Sequence, residues 1–327
     1  MGLRRSRDAP RERTMRKWIA AAGVTLMLAI GLGSAYAITS PTPDNSEHPY
    51  VGQLLLYVPD EVDSRFTDPG SWFNCTGTLL SATVVLTAGH CTFGIGLNGT
   101  STTTPSGDGQ GRNDVWLSFA EAPNYTGLPA SSSYGTGENA RRYSDRVTWL
   151  NDSSHGWVRG KAAYLHPDFN PAAFVLADAG IIVLDKQVTV TGTYGKITSL
   201  AKLDEFRTGP KQAQLFTPVG YGLNYIRPTG TVGGDTRNKA TVKLDNLQGT
   251  FGIPRGTSVV FSNNNGKVHQ GGTCFGDSGG PVFLQSTNEI VAVTSFGIGP
   301  NCTGTGGAYR VDQADDIAFI NSFLAIP

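Results

Sequence analysis

Short apolar runs recur along this chain between clusters of Gly, Pro, Asn and Ser, and their length limits the possible folds. Each run spans about four to nine residues, a length typical of β-strands, and no helical pattern separates one run from the next. Such spacing favours antiparallel barrels or a sandwich over a parallel α/β sheet. The predicted strands are Tyr50–Tyr57, Thr78–Leu86, Ala179–Leu184, Gln214–Val219, Ser258–Phe261 and Ile290–Phe296.

Only one segment has a convincing helical pattern. It runs from Asp312, a candidate N-cap, to Leu324 and places Ile317, Ile320, Phe323 and Leu324 on one stripe. Between Phe93 and Arg142 the chain is rich in Gly, Ser, Thr and Asn, which predicts an elaborated surface region. The content of 42 glycines and only 16% charged residues suits a loop-rich β protein.

The first 37 residues have the pattern of an export signal. Arg16 and Lys17 precede an apolar run that starts at Trp18, and the segment ends in Ala35-Tyr36-Ala37. The pattern predicts a signal peptide over residues 1–37, cleaved after Ala37, with retention as a membrane anchor as the alternative. Met15 is an alternative start of translation, because the polar stretch before it is longer than a signal peptide needs.

Removal of the signal peptide changes the net charge. The whole chain is neutral, but residues 38–327 carry 19 basic and 24 acidic side chains, a net charge of about −5. No basic patch remains to attract nucleic acid. We therefore expect a secreted, extracellular protein with no nucleic-acid partner and no membrane contact after cleavage.

The chain contains four cysteines, Cys75, Cys91, Cys274 and Cys302, which can pair in three ways. An oxidising exterior favours two disulfides over free thiols. Pairing of nearest neighbours, Cys75 with Cys91 and Cys274 with Cys302, gives two short loops. Zinc binding is the alternative, although no Cys-x-x-Cys pair is present.

The segment Cys274-Phe275-Gly276-Asp277-Ser278-Gly279-Gly280-Pro281 carries the strongest chemical signal. Glycines on both sides of Ser278 allow a tight, exposed turn, which a nucleophilic serine needs. The same turn can aim the backbone N–H groups of Gly276 and Ser278 at one point and so stabilise an oxyanion. Taken alone, a Gly-rich turn with a serine is more often only a turn.

A second signal is the apolar run that ends in Thr87-Ala88-Gly89-His90-Cys91. A disulfide at Cys91 would clamp the loop beside His90, as a general base requires. The other four histidines (His48, His155, His166 and His269) lack a comparable setting, so we interpret them as structural or solvated.

Together, Thr87-Ala88-Gly89-His90-Cys91 and Gly276-Asp277-Ser278-Gly279-Gly280-Pro281 resemble the two signatures of the chymotrypsin-like serine protease family, here of a bacterial secreted type. The resemblance implies an all-β fold of two packed six-stranded antiparallel β-barrels and a C-terminal α-helix. The implied boundaries are residues 38–200 for the first barrel, 201–311 for the second and 312–324 for the helix.

The resemblance also implies an acid between the two signatures, and Asp178 at the start of an apolar strand matches that position. It would hold His90 while His90 deprotonates Ser278. Asp185 and Asp168 are the alternatives, but the first lies at the polar end of the strand beside Lys186 and the second in a predicted turn.

Substrate-pocket residues follow from the same resemblance. They are Gly272, Thr273, Ser295, Phe296, Gly297 and Gly307. Gly272 stands at the pocket floor where an acid would select Lys or Arg, so trypsin-like preference is not expected. Glycines at 272, 297 and 307 predict an open, uncharged pocket for an apolar or aromatic side chain, with Phe296 in place of the usual tryptophan.

Members of this family mature when a new Ile or Val amino group pairs with the aspartate before the nucleophile, here Asp277. Signal cleavage after Ala37 would itself expose Ile38, which predicts activation without a propeptide. Thr39-Ser40 replaces the Val-Gly that commonly follows the first Ile.

The predicted function is serine endopeptidase activity on protein or peptide substrates, without metal or cofactor, by a monomer. A catalytically silent protein-binding homologue and an enzyme acting mainly on esters are the alternatives. The spacing of 88 residues from His90 to Asp178 exceeds what compact family members need. Decoration of the barrel is the first interpretation of the extra residues, ahead of substrate restriction or partner binding.

Overall fold

Antiparallel β-sheet makes up most of the chain in this computed structural model. It describes residues 41–59, 71–98, 112–135, 137–207, 214–227, 230–249, 252–263 and 271–325. The predicted signal peptide and Ile38 lie outside these ranges. Within them, no helix has the length and apolar character needed to cross a membrane.

The described helices are α1 (Gly89–Thr92), α2 (Asn139–Asn151) and α3 (Ala314–Leu324), and short 3₁₀ turns lie between the larger elements. The described strands are β1 (Thr42–Pro43), β2 (Val51–Val58), β3 (Ser71–Leu79), β4 (Val84–Thr87), β5 (Val115–Ser118), β6 (Val158–Leu165), β7 (Gly180–Leu184), β8 (Lys196–Ile197), β9 (Leu215–Gly220), β10 (Leu223–Arg227), β11 (Gly230–Gly233), β12 (Asn238–Lys239), β13 (Val242–Asn246), β14 (Ser258–Ser262), β15 (Pro281–Leu284), β16 (Glu289–Gly297) and β17 (Thr305–Arg310).

Two rings of six strands form the core. The first closes in the order β2-β3-β4-β7-β6-β5, and the second in the order β9-β13-β14-β17-β16-β15 through pairing of β15 with β9. Every residue of β2 and β4 is buried, because closure turns one face of each strand inward while neighbouring elements cover the other. The prediction of two six-stranded antiparallel barrels with a C-terminal helix is confirmed.

Two short strands leave the segment predicted to form the first barrel and pair with the second sheet. β1 pairs with β12, and β8 pairs with β16 in the one parallel contact of the described strands. Both chain segments that flank the first barrel are thereby attached to the second. The strands of the first barrel itself run from Val51 to Leu184.

The predicted strand Thr78–Leu86 is two strands joined by a turn. The Ser81 hydroxyl accepts hydrogen bonds from the backbone N–H groups of Thr83 (3.4 Å) and Val84 (3.2 Å), and Leu80 N–H donates to the Val84 carbonyl (2.8 Å). Since β3 and β4 are both apolar at this point, hydrophobicity alone does not reveal the reversal.

The C-terminal helix begins two residues later than predicted. Asp312 does not cap it; its carboxylate accepts from the Leu203 backbone N–H (2.7 Å) and from the Arg310 guanidinium (2.8 Å), while Gln313 takes the N-cap position without a side-chain bond. Ile320 is buried as predicted, but Leu324 is 38% exposed because the helix leaves the barrel surface at its end.

The region predicted as irregular surface contains a barrel strand, and the helix α2 overlaps its end. Trp116 of β5 is fully buried beneath α2, where it meets Leu55, Leu150 and Trp157 in an aromatic-rich cluster on the outside of the first barrel. The Trp116 indole N–H donates to the Asn151 side-chain oxygen (2.9 Å) at the end of the helix. The described part of the chain between His90 and Asp178 therefore covers this side of the barrel.

Candidate active site

His90 lies in α1, the single helical turn that follows β4. The Cys75–Cys91 disulfide ties this turn to β3, and the Thr92 hydroxyl lies 3.0 Å from the Gly89 carbonyl and 3.2 Å from that of Tyr164. These links hold the backbone on both sides of the histidine, whose side chain is 24% exposed. The backbone at His90 is thus fixed while the ring reaches the surface, as a proton-transfer group requires.

The fully buried carboxylate of Asp178 lies against this ring. Its Oδ1 accepts from the His90 backbone N–H at 2.8 Å, and its Oδ2 lies 2.9 Å from His90 Nδ1. Because a carboxylate only accepts hydrogen bonds, Nδ1 carries the proton, and Nε2 of the neutral ring is left as the basic nitrogen. Of the three aspartates considered from the sequence, Asp178 is the one in contact with His90.

Ser295 supplies a third bond to the acid. Its hydroxyl donates to Asp178 Oδ2 at 2.6 Å, and the residue is buried. The sequence prediction that Ser295 lines the substrate pocket missed this contact, which joins β16 of the second barrel to the segment just before β7 of the first and leaves no local sequence signal. The carboxylate is held from two directions.

The environment of His90 moves its pKa upward. Burial favours the neutral ring, but the charge of Asp178 and its hydrogen bond favour the protonated ring more strongly, so the pKa of His90 is raised above 6.5. The carboxylate therefore makes His90 a stronger base than a solvated histidine.

Ser278 lies in a tight turn that needs glycine at two positions. Gly276 has φ of +94° and Gly279 has φ of +77°, in the left-handed region that side chains with a Cβ rarely adopt. A Cβ on Gly279 would also lie 2.7 Å from the Ala88 backbone nitrogen. The turn therefore packs directly against the end of β4, two residues before His90.

Thr76 of β3 fixes the same turn from the first barrel. Its backbone N–H donates to the Ser278 carbonyl and its hydroxyl to the Gly276 carbonyl, both at 2.8 Å. The structure thus brings Ser278 to the side of the barrel that carries His90 and Asp178. Among the described residues, no hydrogen bond joins the His90 ring directly to the Ser278 hydroxyl.

The predicted oxyanion donors are Gly276 and Ser278. In the described ranges, neither backbone N–H donates to a protein acceptor. The Gly280 N–H donates to the Asp277 carbonyl (2.7 Å), which closes the turn on its other side. Two donors next to the serine oxygen are therefore available to a ligand.

Asp277 is buried beneath the turn. Its Oδ1 accepts from the Gly222 N–H (3.1 Å) and its Oδ2 from the Cys274 N–H (3.0 Å). Its predicted partner Ile38 lies outside the described residues.

The space expected for an open pocket is largely occupied. A Cβ on Gly272 would come closer than 3.0 Å to the Asn263 side chain, and one on Gly307 closer than that to the Phe296 ring. Thr273 is buried, whereas Gly297 is exposed with no atom near its Cβ position. Neighbouring side chains thus occupy the Cβ positions of two of the three glycines from which an open pocket is predicted.

The cysteines form the disulfides Cys75–Cys91 and Cys274–Cys302. The sulfur atoms of Cys75 and Cys91 lie near a ring nitrogen of His90, but a disulfide supplies no thiolate to bind a metal. The second disulfide links the segment before Ser278 to the turn between β16 and β17.

Comparisons with known proteins agree with this architecture. Residues 136–318, more than half of the chain, match the family model described as Trypsin. Over 277 residues the chain is 26% identical to the trypsin of Saccharopolyspora erythraea, covering 83% of this chain and 91% of that protein.

Two solved structures share the fold. HL collagenase has a TM-score of 0.58 at 18% identity and covers 88% of this chain and 99% of its own. Human heparin binding protein has a TM-score of 0.54 at 16% identity, with coverage of 88% and 97%. At these identities the structures support the fold alone, and the family match carries the assignment. The chain belongs to the trypsin-like serine protease family.

Proposed function

We propose that this protein is a secreted serine endopeptidase in which Ser278, His90 and Asp178 form the catalytic triad. The proposal rests on the buried Asp178 carboxylate, which is hydrogen-bonded to His90. The turn that holds Ser278 packs close by, against the end of β4 and on Thr76 of β3. This arrangement supports acyl transfer to a serine nucleophile.

In the proposed reaction, the Ser278 hydroxyl attacks the carbonyl carbon of a peptide bond while His90 Nε2 takes its proton. Asp178 stabilises the imidazolium that forms. The N–H groups of Gly276 and Ser278 bind the oxyanion of the tetrahedral intermediate. His90 then protonates the leaving amine, and water hydrolyses the acyl-enzyme by the reverse roles.

Export and disulfide formation are consistent with this function. The two disulfides support an oxidising compartment, as the predicted signal peptide does. We propose protein or peptide substrates outside the cell, with cleavage after uncharged side chains, because Gly272 and Asn263 place no charge at the pocket base.

Maturation belongs to the same proposal. A new ammonium group at Ile38 would pair with the buried Asp277 carboxylate and order the oxyanion turn. Loss of such a buried pair typically costs about 3–5 kcal/mol, so an extra residue before Ile38 should greatly reduce activity. Full activity of an N-terminally extended chain would contradict the activation step but leave the triad assignment intact.

The test compares the secreted chain with Ser278→Ala in cleavage of casein and in labelling by a fluorophosphonate. We expect wild-type cleavage and covalent labelling, and a loss of about six orders of magnitude in kcat for the variant. Mass spectrometry of the label locates the modified residue. Equal cleavage by both chains, or labelling elsewhere, would contradict the proposal.

A further inference from the structure

Two segments of the second barrel lie next to the residues of the proposed triad, and the region between them is termed the crevice. Gly272–Cys274 leads into the Ser278 turn, and Ser295–Gly297 contacts Asp178 through the Ser295 hydroxyl. The Cys274–Cys302 disulfide joins the first segment to the turn that follows the second. A peptide whose carbonyl lies at Ser278 therefore directs the side chain on its acyl side, the P1 side chain, between these segments.

Asn263 fills the base of this crevice. A Cβ on Gly272 would come closer than 3.0 Å to Asn263 Cβ, Cγ and Oδ1, and a Cβ on Gly306 would lie 2.6 Å from Oδ1. Real Cβ atoms essentially never approach other atoms so closely. The side chain of Asn263 thus stands in the space that side chains at positions 272 and 306 would otherwise occupy.

Hydrogen bonds fix the amide in that place. Its Oδ1 accepts from the Thr273 backbone N–H at 3.2 Å, and its Nδ2 donates to the Thr273 carbonyl at 2.9 Å. The Asn263 residue is 1% exposed. A side chain held on both of its polar atoms in a packed interior does not give way readily to a ligand.

Phe296 narrows the crevice from the side. Its ring packs on the backbone of Gly307, which lies opposite Phe296 in the pairing of β16 with β17. By contrast, the space at Gly297 is open, so an extended peptide backbone can approach the edge of β16. The site has room beside the peptide backbone and little depth for its side chain.

We infer, on the basis of the serine endopeptidase function proposed above, that Asn263 determines P1 specificity. It forms the base of a shallow, uncharged pocket that admits small aliphatic side chains such as Ala and Val. Aromatic P1 side chains are excluded by volume. Lys and Arg are excluded because, among the described residues, neither Asn263 nor Gly272 supplies a carboxylate at the base to compensate the loss of their hydration.

The test uses tetrapeptide p-nitroanilides that differ only in the P1 residue, which is Ala, Val, Leu, Phe or Lys. For the mature wild-type chain we expect kcat/KM for Ala or Val to exceed that for Phe and Lys by at least about tenfold. Titration with a fluorophosphonate gives the concentration of competent active sites for each preparation. A wild-type preference for Phe or Lys would overturn the inference.

Two variants change the base in different ways. Asn263→Gly deepens the crevice, and we expect the Phe-to-Ala ratio of kcat/KM to rise at least about tenfold. Asn263→Asp is almost isosteric but supplies a charge, and we expect it to raise the Lys-to-Ala ratio. Asn321→Asp, the same chemical change on the exposed face of α3, is the control and should keep the wild-type profile.

The outcomes separate the two proposals. Variants that are labelled stoichiometrically yet keep the wild-type P1 profile would overturn the role of Asn263 and leave the endopeptidase function standing. A wild-type chain that is neither labelled nor active on any member of the series would contradict the endopeptidase function, and the specificity role would fall with it. Loss of folding in Asn263→Asp leaves the Asn263→Gly measurement decisive.

Discussion

The Asp178 carboxylate receives hydrogen bonds from the backbone and ring of His90 and from the Ser295 hydroxyl. The free-energy cost of removing one hydrogen-bond partner from a buried charge exceeds the net free energy gained when that bond forms. The reason is that water cannot replace the lost partner. We therefore expect each donor to matter for the orientation of the histidine, and changes at this carboxylate to affect catalysis more than affinity.

Asp178→Asn keeps the volume of the side chain and removes its charge. The amide can donate to His90 Nδ1, which puts the ring proton on the wrong nitrogen, so we expect kcat to fall about 10⁴-fold. Because His90 acts as a base only when neutral, the rate rises as pH increases through its pKa, which Asp178 holds above 6.5. The acid limb of the kcat/KM profile should therefore shift to lower pH in the variant, and a limb that stayed in place would count against this role.

Ser295→Ala removes one hydrogen bond to the buried carboxylate. Bonds to charged groups contribute about 1.5–3 kcal/mol, so we expect kcat/KM to fall about ten- to hundredfold. The fall should lie mainly in kcat, since the serine acts through Asp178. Ser322→Ala on the exposed face of α3 is the matched control, and an equal loss there would argue for a general effect on folding.

At the scale of elements, the helix α3 docks through a buried acid. Asp316 accepts from the Tyr309 hydroxyl at 3.0 and 3.1 Å and lies 3.8 Å from His166 Nε2. Burial, with the nearby charge of Asp315, raises the pKa of Asp316 to about 8. The helix is thus anchored by a side chain that favours its neutral form.

Asp316→Asn should change how stability depends on pH. A carboxyl group whose pKa is higher in the folded state than in the unfolded state stabilises the fold fully at pH values below its unfolded pKa. This stabilisation is lost as the pH rises toward the folded pKa of about 8. We therefore expect the variant to gain stability relative to wild type between pH 5 and pH 8. Urea unfolding of both chains at both pH values measures this. A constant difference in unfolding free energy would contradict the expectation.

The elements that the sequence predicted share a property that the missed ones lack. β2, β7 and β16 each contain at least four consecutive apolar residues, so their burial is visible in the sequence. The helix α2 has only a few apolar side chains, which pack on the outside of the first barrel, and its surface is otherwise polar. Its stability depends on a tertiary contact, which periodicity does not report.

Across the whole molecule, the two barrels meet at the turn that holds Ser278. Thr76 bonds to the carbonyls of Ser278 and Gly276, while its own carbonyl accepts from the Thr87 hydroxyl at 2.8 Å. One residue of β3 therefore connects the strand before His90 to the turn that holds Ser278. The relative position of the two signatures depends on this contact between barrels.

Thr76→Val removes the hydroxyl and leaves the Gly276 carbonyl and the Tyr221 N–H without that partner. We expect a loss of about 1–3 kcal/mol in unfolding free energy and a fall in kcat from displacement of the oxyanion donors. Thr78→Val is the control, because Thr78 lies on the same strand and its buried hydroxyl has no hydrogen-bond partner among the described residues. If both variants behaved alike, the contact would have no special role.

The sequence predicts some residues of the candidate site and not others. His90 and Ser278 stand in local signatures, and Asp178 opens an apolar strand, so each leaves a trace within a few residues of itself. The Ser295 bond to Asp178 spans 117 positions, and Asn263 lies beside Gly272 only because β14 ends next to the turn that leads to Ser278. The family resemblance implies an open pocket at Gly272, since a glycine in the sequence does not show what packs against it.

Each disulfide closes a loop within its own barrel, Cys75–Cys91 in the first and Cys274–Cys302 in the second. The exposed segment around Gly192 joins the first barrel to the second. A chain nicked there would have no covalent crosslink between its halves. Noncovalent contacts would hold the halves together, among them those at Thr76, the bond from Ser295 to Asp178 and the attachment of β1 to β12. Under the proposed function, proteolytic activity of the nicked chain would report complementation of two fragments, one with His90 and Asp178 and the other with Ser278, neither of which should cleave a peptide alone.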